Sequence, residues 1–232
     1  SAFIDDRTYA LRDRPSADFP TQATTVTSHG ITSESGVQSR TAMVSYNAAP
    51  LPPDFFRSQN VTACTCDFMT WGWWGGDVKY NANSPYNANG RDRLNLATYV
   101  AGTVTPVAQL NQMTGSASYT GHLIGNVQNG GNGYVAAGSY SNQWNFGSRT
   151  GIATVNFDGA TFGGGITPNT VGSISSPNFQ TVAPLAGTVG GRSLSLNGAF
   201  TSAPNSPAAG QMGNFAITGP GYQAGGSFAA QK

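Results

Sequence analysis

The sequence predicts an all-β protein organised around a small, strongly curved, antiparallel β-barrel, and three observations carry that prediction. Gly115-Ser-Ala-Ser-Tyr-Thr-Gly-His-Leu-Ile-Gly-Asn-Val127 alternates with period two. Gly115, Ala117, Tyr119, Gly121, Leu123, Gly125 and Val127 fall on one face, with Ser116, Ser118, Thr120, His122 and Asn126 on the other, which is the pattern of a strand with a small or apolar face and a wet one. Three glycines on the inner face imply tight curvature or the close approach of another layer. Beyond Cys64, short runs of this kind recur with Gly-rich turns between them, and no amphipathic helical pattern exceeds a couple of turns.

Taken in order, residues 1–35 are the most charged stretch, with Asp5, Asp6, Arg7, Arg12, Asp13, Arg14 and Asp18 of mixed sign. Such a run reads as a solvated arm or the end of a preceding module. Val37–Tyr46 is a plausible strand, and Ala49-Pro50-Leu51-Pro52-Pro53 breaks it. The expected division is therefore an N-terminal extension over 1–60, partly irregular or a partial handle, and a barrel over 61–232. The expected strands are Asp67–Trp74, Leu96–Val104, Gly115–Val127, Tyr134–Phe146, Gly151–Phe157, Thr161–Ile166, Phe179–Val189, Leu194–Phe200, Met212–Ile217 and Gly225–Ala230. Asp158-Gly159 and Asn197-Gly198 both have the chemistry of a two-residue type I′ hairpin turn. Asn81–Gly90, Asn129–Gly133 and Ser202–Gly210 read as exposed loops.

Composition narrows the partners. Charged residues make up 9% of the chain, against about 25% in ordinary soluble domains, while Gly, Ser, Thr and Asn are abundant, the look of an exported surface protein. A formal net charge of +1 with no Lys/Arg run argues against nucleic acid or an anionic membrane as the main partner. No window approaches 18 consecutive apolar residues. A lipid-facing barrel would carry its apolar residues outside, whereas the glycine-lined inner face and Ser/Thr outer face expected here fit a soluble barrel. A start at Ser1 without Met reads as processed or truncated.

Several motifs then align in order. Tyr99-Val-Ala-Gly102-Thr-Val-Thr105-Pro106, Met113 and Gly115-Ser-Ala-Ser-Tyr119-Thr-Gly121 are followed by Val155-Asn-Phe157-Asp158-Gly159 and Gly163-Gly164-Gly165-Ile166. Near the end come Gly198-Ala-Phe200, Ala203 and Gly225-Gly226-Ser-Phe228-Ala229-Ala230-Gln-Lys232. Over roughly Trp71 to Lys232 this set resembles the β-barrel domain of the transferrin-binding protein B-like surface proteins of Gram-negative bacteria. The resemblance implies an eight-stranded antiparallel barrel with a filled interior, often preceded by a smaller handle domain, at the outer-membrane surface or outside the cell. It does not extend to transferrin binding, because the family's two-lobe architecture and its transferrin-contacting loops have no counterpart here.

Candidate chemistry is sparse. Cys64-Thr-Cys66 holds the only two cysteines. They form a candidate disulfide, although residues i and i+2 of an ideal strand sit too far apart to pair without a bend; intermolecular pairing and metal or redox chemistry are the alternatives. Trp71-Gly-Trp73-Trp74 puts Trp71 and Trp73 on one strand face and Trp74 on the other. These rings either plug the barrel end or serve as partner contacts, anchoring a protein or stacking on a glycan. Of the two histidines, His122 falls on the wet face and reads as solvated, and His29 lies in a Thr/Ser/Gly loop. No carboxylate pair suggests a glycosidase and no G-x-S-x-G elbow occurs, so no catalysis, cofactor or metal is expected. The expected function is a non-enzymatic binding module with a protein partner, whether a host protein, a metal carrier or another copy of the chain; the alternative is a structural subunit of an extracellular filament or surface layer.

Overall fold

In the computed structural model the described residues are 2–4, 7–9, 25–28, 31–34, 41–44, 55–80, 91–169 and 176–232, with side-chain surroundings for 55–69, 71, 98–169 and 176–232. The chain divides into two compact units, one of Ser1–Leu51 with Gly72–Thr98 and one of Pro52–Trp71 with Tyr99–Lys232. The border expected at residue 60 thus falls inside a continuous segment of the second unit. The first unit holds two hairpins, β1 (Ala2–Ile4) with β2 (Arg7–Tyr9) and β3 (Thr25–Ser28) with β4 (Ile31–Glu34). It also holds most of a three-stranded sheet in the order β5 (Thr41–Val44), β6 (Met69–Tyr80), β7 (Arg91–Gly102).

The second unit is the barrel. After the single turn α1 (Phe55–Ser58) and the short helix α2 (Val107–Gln112) come β8 (Ser116–Asn129), β9 (Asn132–Asn145), β10 (Thr150–Phe157), β11 (Ala160–Pro168), β12 (Asn178–Thr181), β13 (Leu185–Ala186), β14 (Ser193–Ala203), β15 (Ser206–Gly219) and β16 (Tyr222–Gln231). Neighbouring strands pair antiparallel in the order β12-β11-β10-β9-β8-β16-β15-β14, and β12 pairs back onto β14. The result is a closed eight-stranded barrel, with β13 a short extra rung on β14.

Local chemistry explains the turns. Asp158 and Gly159 take φ of +47° and +76° between Phe157 and Ala160, the left-handed pair that a type I′ turn requires. The second expected turn is not one. Asn197 and Gly198 lie within β14, opposite Asn214 and Gly213, and a Cβ on Gly198 would sit 2.6 Å from Phe179 Cζ and 2.8 Å from Phe228 Cζ. That glycine makes room for two core rings. Ser202–Gly210, expected as a loop, instead continues β14 into β15 around Pro204-Asn205, with Ala203 opposite Ser206.

Side chains fill the lumen. Tyr119, Leu123, Phe162, Ile166, Phe179, Leu194, Leu196, Ile217 and Phe228 are all at most 1% exposed. Phe200 is the hub, with ring centroids 5.0 Å from Trp144, 5.3 Å from Phe179 and 5.8 Å from Tyr119. Most polar groups inside find hydrogen-bond partners, while Asn142 Oδ1 and Gln211 Nε2 are buried without one among the described residues. Tyr119 Oη donates to the Ala208 carbonyl at 2.8 Å, and Gln211 Oε1 accepts from Tyr140 Oη at 2.8 Å and Asn142 Nδ2 at 3.0 Å. The wall bends sharply where glycines meet across strands: a Cβ on Gly121 would fall on the Ala229 carbonyl of β16, and one on Gly226 on the Ile124 carbonyl of β8. The inner-face glycines of β8 therefore mark close backbone approach in a tightly coiled barrel.

Candidate functional site

With the lumen filled, the sites open to chemistry lie on the outer wall and at the turns. On most of the wall the outward residues are Ser, Thr, Asn and Gln, but over part of β8, β9 and β16 they are covered. His122 is 1% exposed, Ile124 and Ala229 0%, Ser227 2% and Ala137 5%. The segment from Phe55 to Trp71 lies over this strip as a strap. Gln59 Oε1 accepts the Ala137 backbone N–H at 2.8 Å, and small outward residues on β9 and β16 leave the strap its space.

The strap is fixed by one residue. Cys64 and Cys66 form a disulfide with Cα atoms 5.6 Å apart, and the bend it imposes aims both backbone groups of Cys64. Its N–H donates to His122 Nδ1 at 3.0 Å, and its carbonyl accepts from Trp71 Nε1 at 3.0 Å. The His122 ring sits against Trp71, centroid to centroid 4.0 Å, and edge-on to Phe56 at 5.1 Å. Because Nδ1 accepts, the ring proton of a neutral His122 sits on Nε2.

Two expectations are corrected here. His122 points out of the barrel as the alternation requires, but it is buried under the strap rather than solvated. Trp71, 2% exposed, is committed to this packing and offers no surface to a partner. The side chains of Trp73 and Trp74, and the loop Asn81–Gly90, lie outside the described residues.

Next to the disulfide a cleft of about 780 Å³ opens on the wall. The strap supplies Cys66, Asp67 and Phe68 on one side, the β14–β15 hairpin supplies Ser202 and Ala203 on the other, and Gln231 of β16 closes the floor. The hairpin is held by Thr105, fully buried, whose Oγ1 accepts from Ser202 Oγ at 3.0 Å and from the Ala208 N–H at 3.2 Å. The Gly102-to-Pro106 motif therefore has a physical role, since it pins the hairpin that forms one bank of the cleft.

A second polar cluster closes one end of the barrel. Asp158 Oδ2 accepts from Tyr134 Oη at 2.7 Å and Tyr222 Oη at 2.9 Å. Arg192 reaches the same carboxylate at 3.6 Å, donates to the Asp158 carbonyl at 2.9 Å, and lies 3.6 Å from the centre of the Tyr222 ring. Burial, followed by the bond to Asp158, pushes the Tyr222 phenol above its usual range, and burial does the same to Tyr134. Every group in this cluster is used by another, which makes it a clasp between turns. The sequence assigned Asp158 to its turn alone; the available signal was that it is the one acidic residue after Asp92.

Among the described residues no group of three or more His, Cys, Asp or Glu side chains gathers as a metal site would, and no helix is long and apolar enough to cross a membrane. No protein-family model matches the sequence, and no curated protein matches it.

Proposed function

We propose that the chain is a non-enzymatic binding module, displayed at the outer-membrane surface of a Gram-negative bacterium or secreted from it, with a barrel of the transferrin-binding protein B-like kind and a protein as its partner. The observation that carries this reading is the pairing of a filled, closed barrel with an open cleft on its outer wall beside a disulfide-bent strap. A closed barrel has no sheet edges to add strands to, and its turns and wall are rigid platforms for recognition. The disulfide supports an oxidising compartment. The test is immobilised full chain exposed to a panel of transferrins and other host glycoproteins, haem and glycans. Saturable binding of a protein, weakened when the cleft is filled by Ala203→Trp, supports the reading; no saturable binding to any member overturns it.

One observation favours the structural alternative. The outward residues of β9–β11 carry no charge, and Ile152 and Val182, beside that wall, are each 66% exposed. Electron microscopy of native material decides between them, because isolated particles at high concentration would exclude a filament or layer.

A further inference from the structure

We infer that the cleft beside the disulfide receives a basic side chain, arginine by preference, presented by the protein partner. This rests on the binding-module reading and specifies its chemistry. Among the described residues Asp67 is the one charged group lining the cleft; it is exposed and has no hydrogen-bond or ion-pair partner among them. The other polar side chains described there, the Thr65, Thr103 and Ser202 hydroxyls and the Gln231 amide, each carry an oxygen that can accept a hydrogen bond. Ser202 spends its proton on Thr105 and so faces a ligand as an acceptor, while Gln231 Oε1 lies at the disulfide, 3.9 Å from Cys64 Sγ.

Among the described residues no lysine, arginine or histidine lines the cleft, so an anion would face the Asp67 carboxylate with no cation there to offset it. A guanidinium matches this arrangement. Its planar fork pairs with a carboxylate and leaves donors for neighbouring acceptors. Its face packs against an aromatic ring, which Phe68 supplies half-buried, and its methylene stem lies along apolar surface, which Ala203 and the Cys66 sulfur supply. The volume exceeds what one side chain needs, so the flanking residues of the partner segment enter as well.

The test uses the isotope-labelled full chain and three capped tripeptides, Gly-Arg-Gly, Gly-citrulline-Gly and Gly-Glu-Gly, with maltose as a neutral polyol. Citrulline keeps the shape of arginine and removes its charge. Expected are saturable amide shifts at Asp67, Ser202 and Gln231 with the arginine peptide, and binding about tenfold weaker both for citrulline and for Asp67→Asn. The interaction should also weaken on raising the salt from about 0.05 to about 0.5 M. Asp67 is exposed and unpaired, so Asp67→Asn retains the fold, which its melting temperature verifies. Equal binding of arginine and citrulline, or maltose shifting the cleft without an arginine preference, overturns the arginine assignment while leaving a binding module standing. Silence of the cleft toward all four probes also overturns the assignment, and the partner panel then judges the module separately.

Discussion

Replacing His122 by Phe isolates a single hydrogen bond at the point that fixes the strap. The new ring fills the same space between Trp71 and Phe56, whose centroids lie 4.0 and 5.1 Å from that of His122. It has no nitrogen to accept the Cys64 N–H now held at 3.0 Å. Cys64 is 2% exposed and His122 1%, so water does not replace the acceptor, and a buried donor left without a partner costs about 1–3 kcal/mol. For a chain of this length about 2 kcal/mol lowers the melting temperature by about 4–8 °C. His122→Ala loses the ring contacts too and should cost about 2 kcal/mol more through the cavity it leaves. Urea denaturation followed by far-ultraviolet circular dichroism, with calorimetry for the melting temperature, reads both. A His122→Phe variant within about 0.5 kcal/mol of the parent refutes the argument that this bond holds the strap to the wall.

Three further outcomes follow from the packing. Asp158→Asn keeps a residue that tolerates a φ of +47° and removes the charge shared by Tyr134, Tyr222 and Arg192, so a loss of about 1–2 kcal/mol in urea denaturation measures the clasp; no loss would show the turn alone to be its role. Burial pushes the phenols of Tyr119, Tyr140 and Tyr222 well above their usual value. Their folded-state values are raised, so the stability they contribute is intact below the unfolded value of about 10 and is lost as pH rises beyond it. Tyrosinate absorbance from these residues should therefore appear together with the loss of circular dichroism, and smooth titration of all nine tyrosines near pH 10 in a folded chain would contradict their burial. Gly226→Ala, whose Cβ would fall on the Ile124 carbonyl, should abolish folding, whereas Gly163→Ala, whose nearest neighbour is the Ala153 carbonyl at 4.0 Å, should change stability by less than about 0.5 kcal/mol; equal effects would refute the close-approach account.

The barrel was legible because its evidence is local. Alternation in Gly115–Val127 places Tyr119, Leu123 and Val127 inside, and the residues that bend the wall are its own glycines. The Asp158-Gly159 turn was legible for the same reason. Asn197-Gly198 carries the same dipeptide chemistry, yet what decides its conformation is the pair of rings, Phe179 and Phe228, that need the space of a Cβ, and both are remote in sequence. His122 shows the same limit. Period two gives the direction of its side chain correctly, but whether the outside of a barrel is wet depends on a segment 58 residues away whose path is set by a disulfide bend.

The strap also explains why the residues that stand out most in the sequence are the least available for recognition. A histidine on a strand's wet face, a tryptophan in an aromatic run and two cysteines are each candidates by residue type. Here Cys64 bonds to the other two, so all three groups are spent on one another under a layer that excludes water. What remains beside them is less conspicuous, an exposed aspartate, a hydroxyl whose proton is already donated, an amide and half of an aromatic ring. A buried group satisfied by its neighbours gains nothing from a partner, whereas Asp67, held in place at the edge of a cleft and unpaired, gains a charge-assisted hydrogen bond. The strap thus serves recognition by position, since the same disulfide bend that turns Cys64 inward toward His122 sets Asp67 immediately beyond its outer end, on the cleft it shares with the hairpin pinned by Thr105.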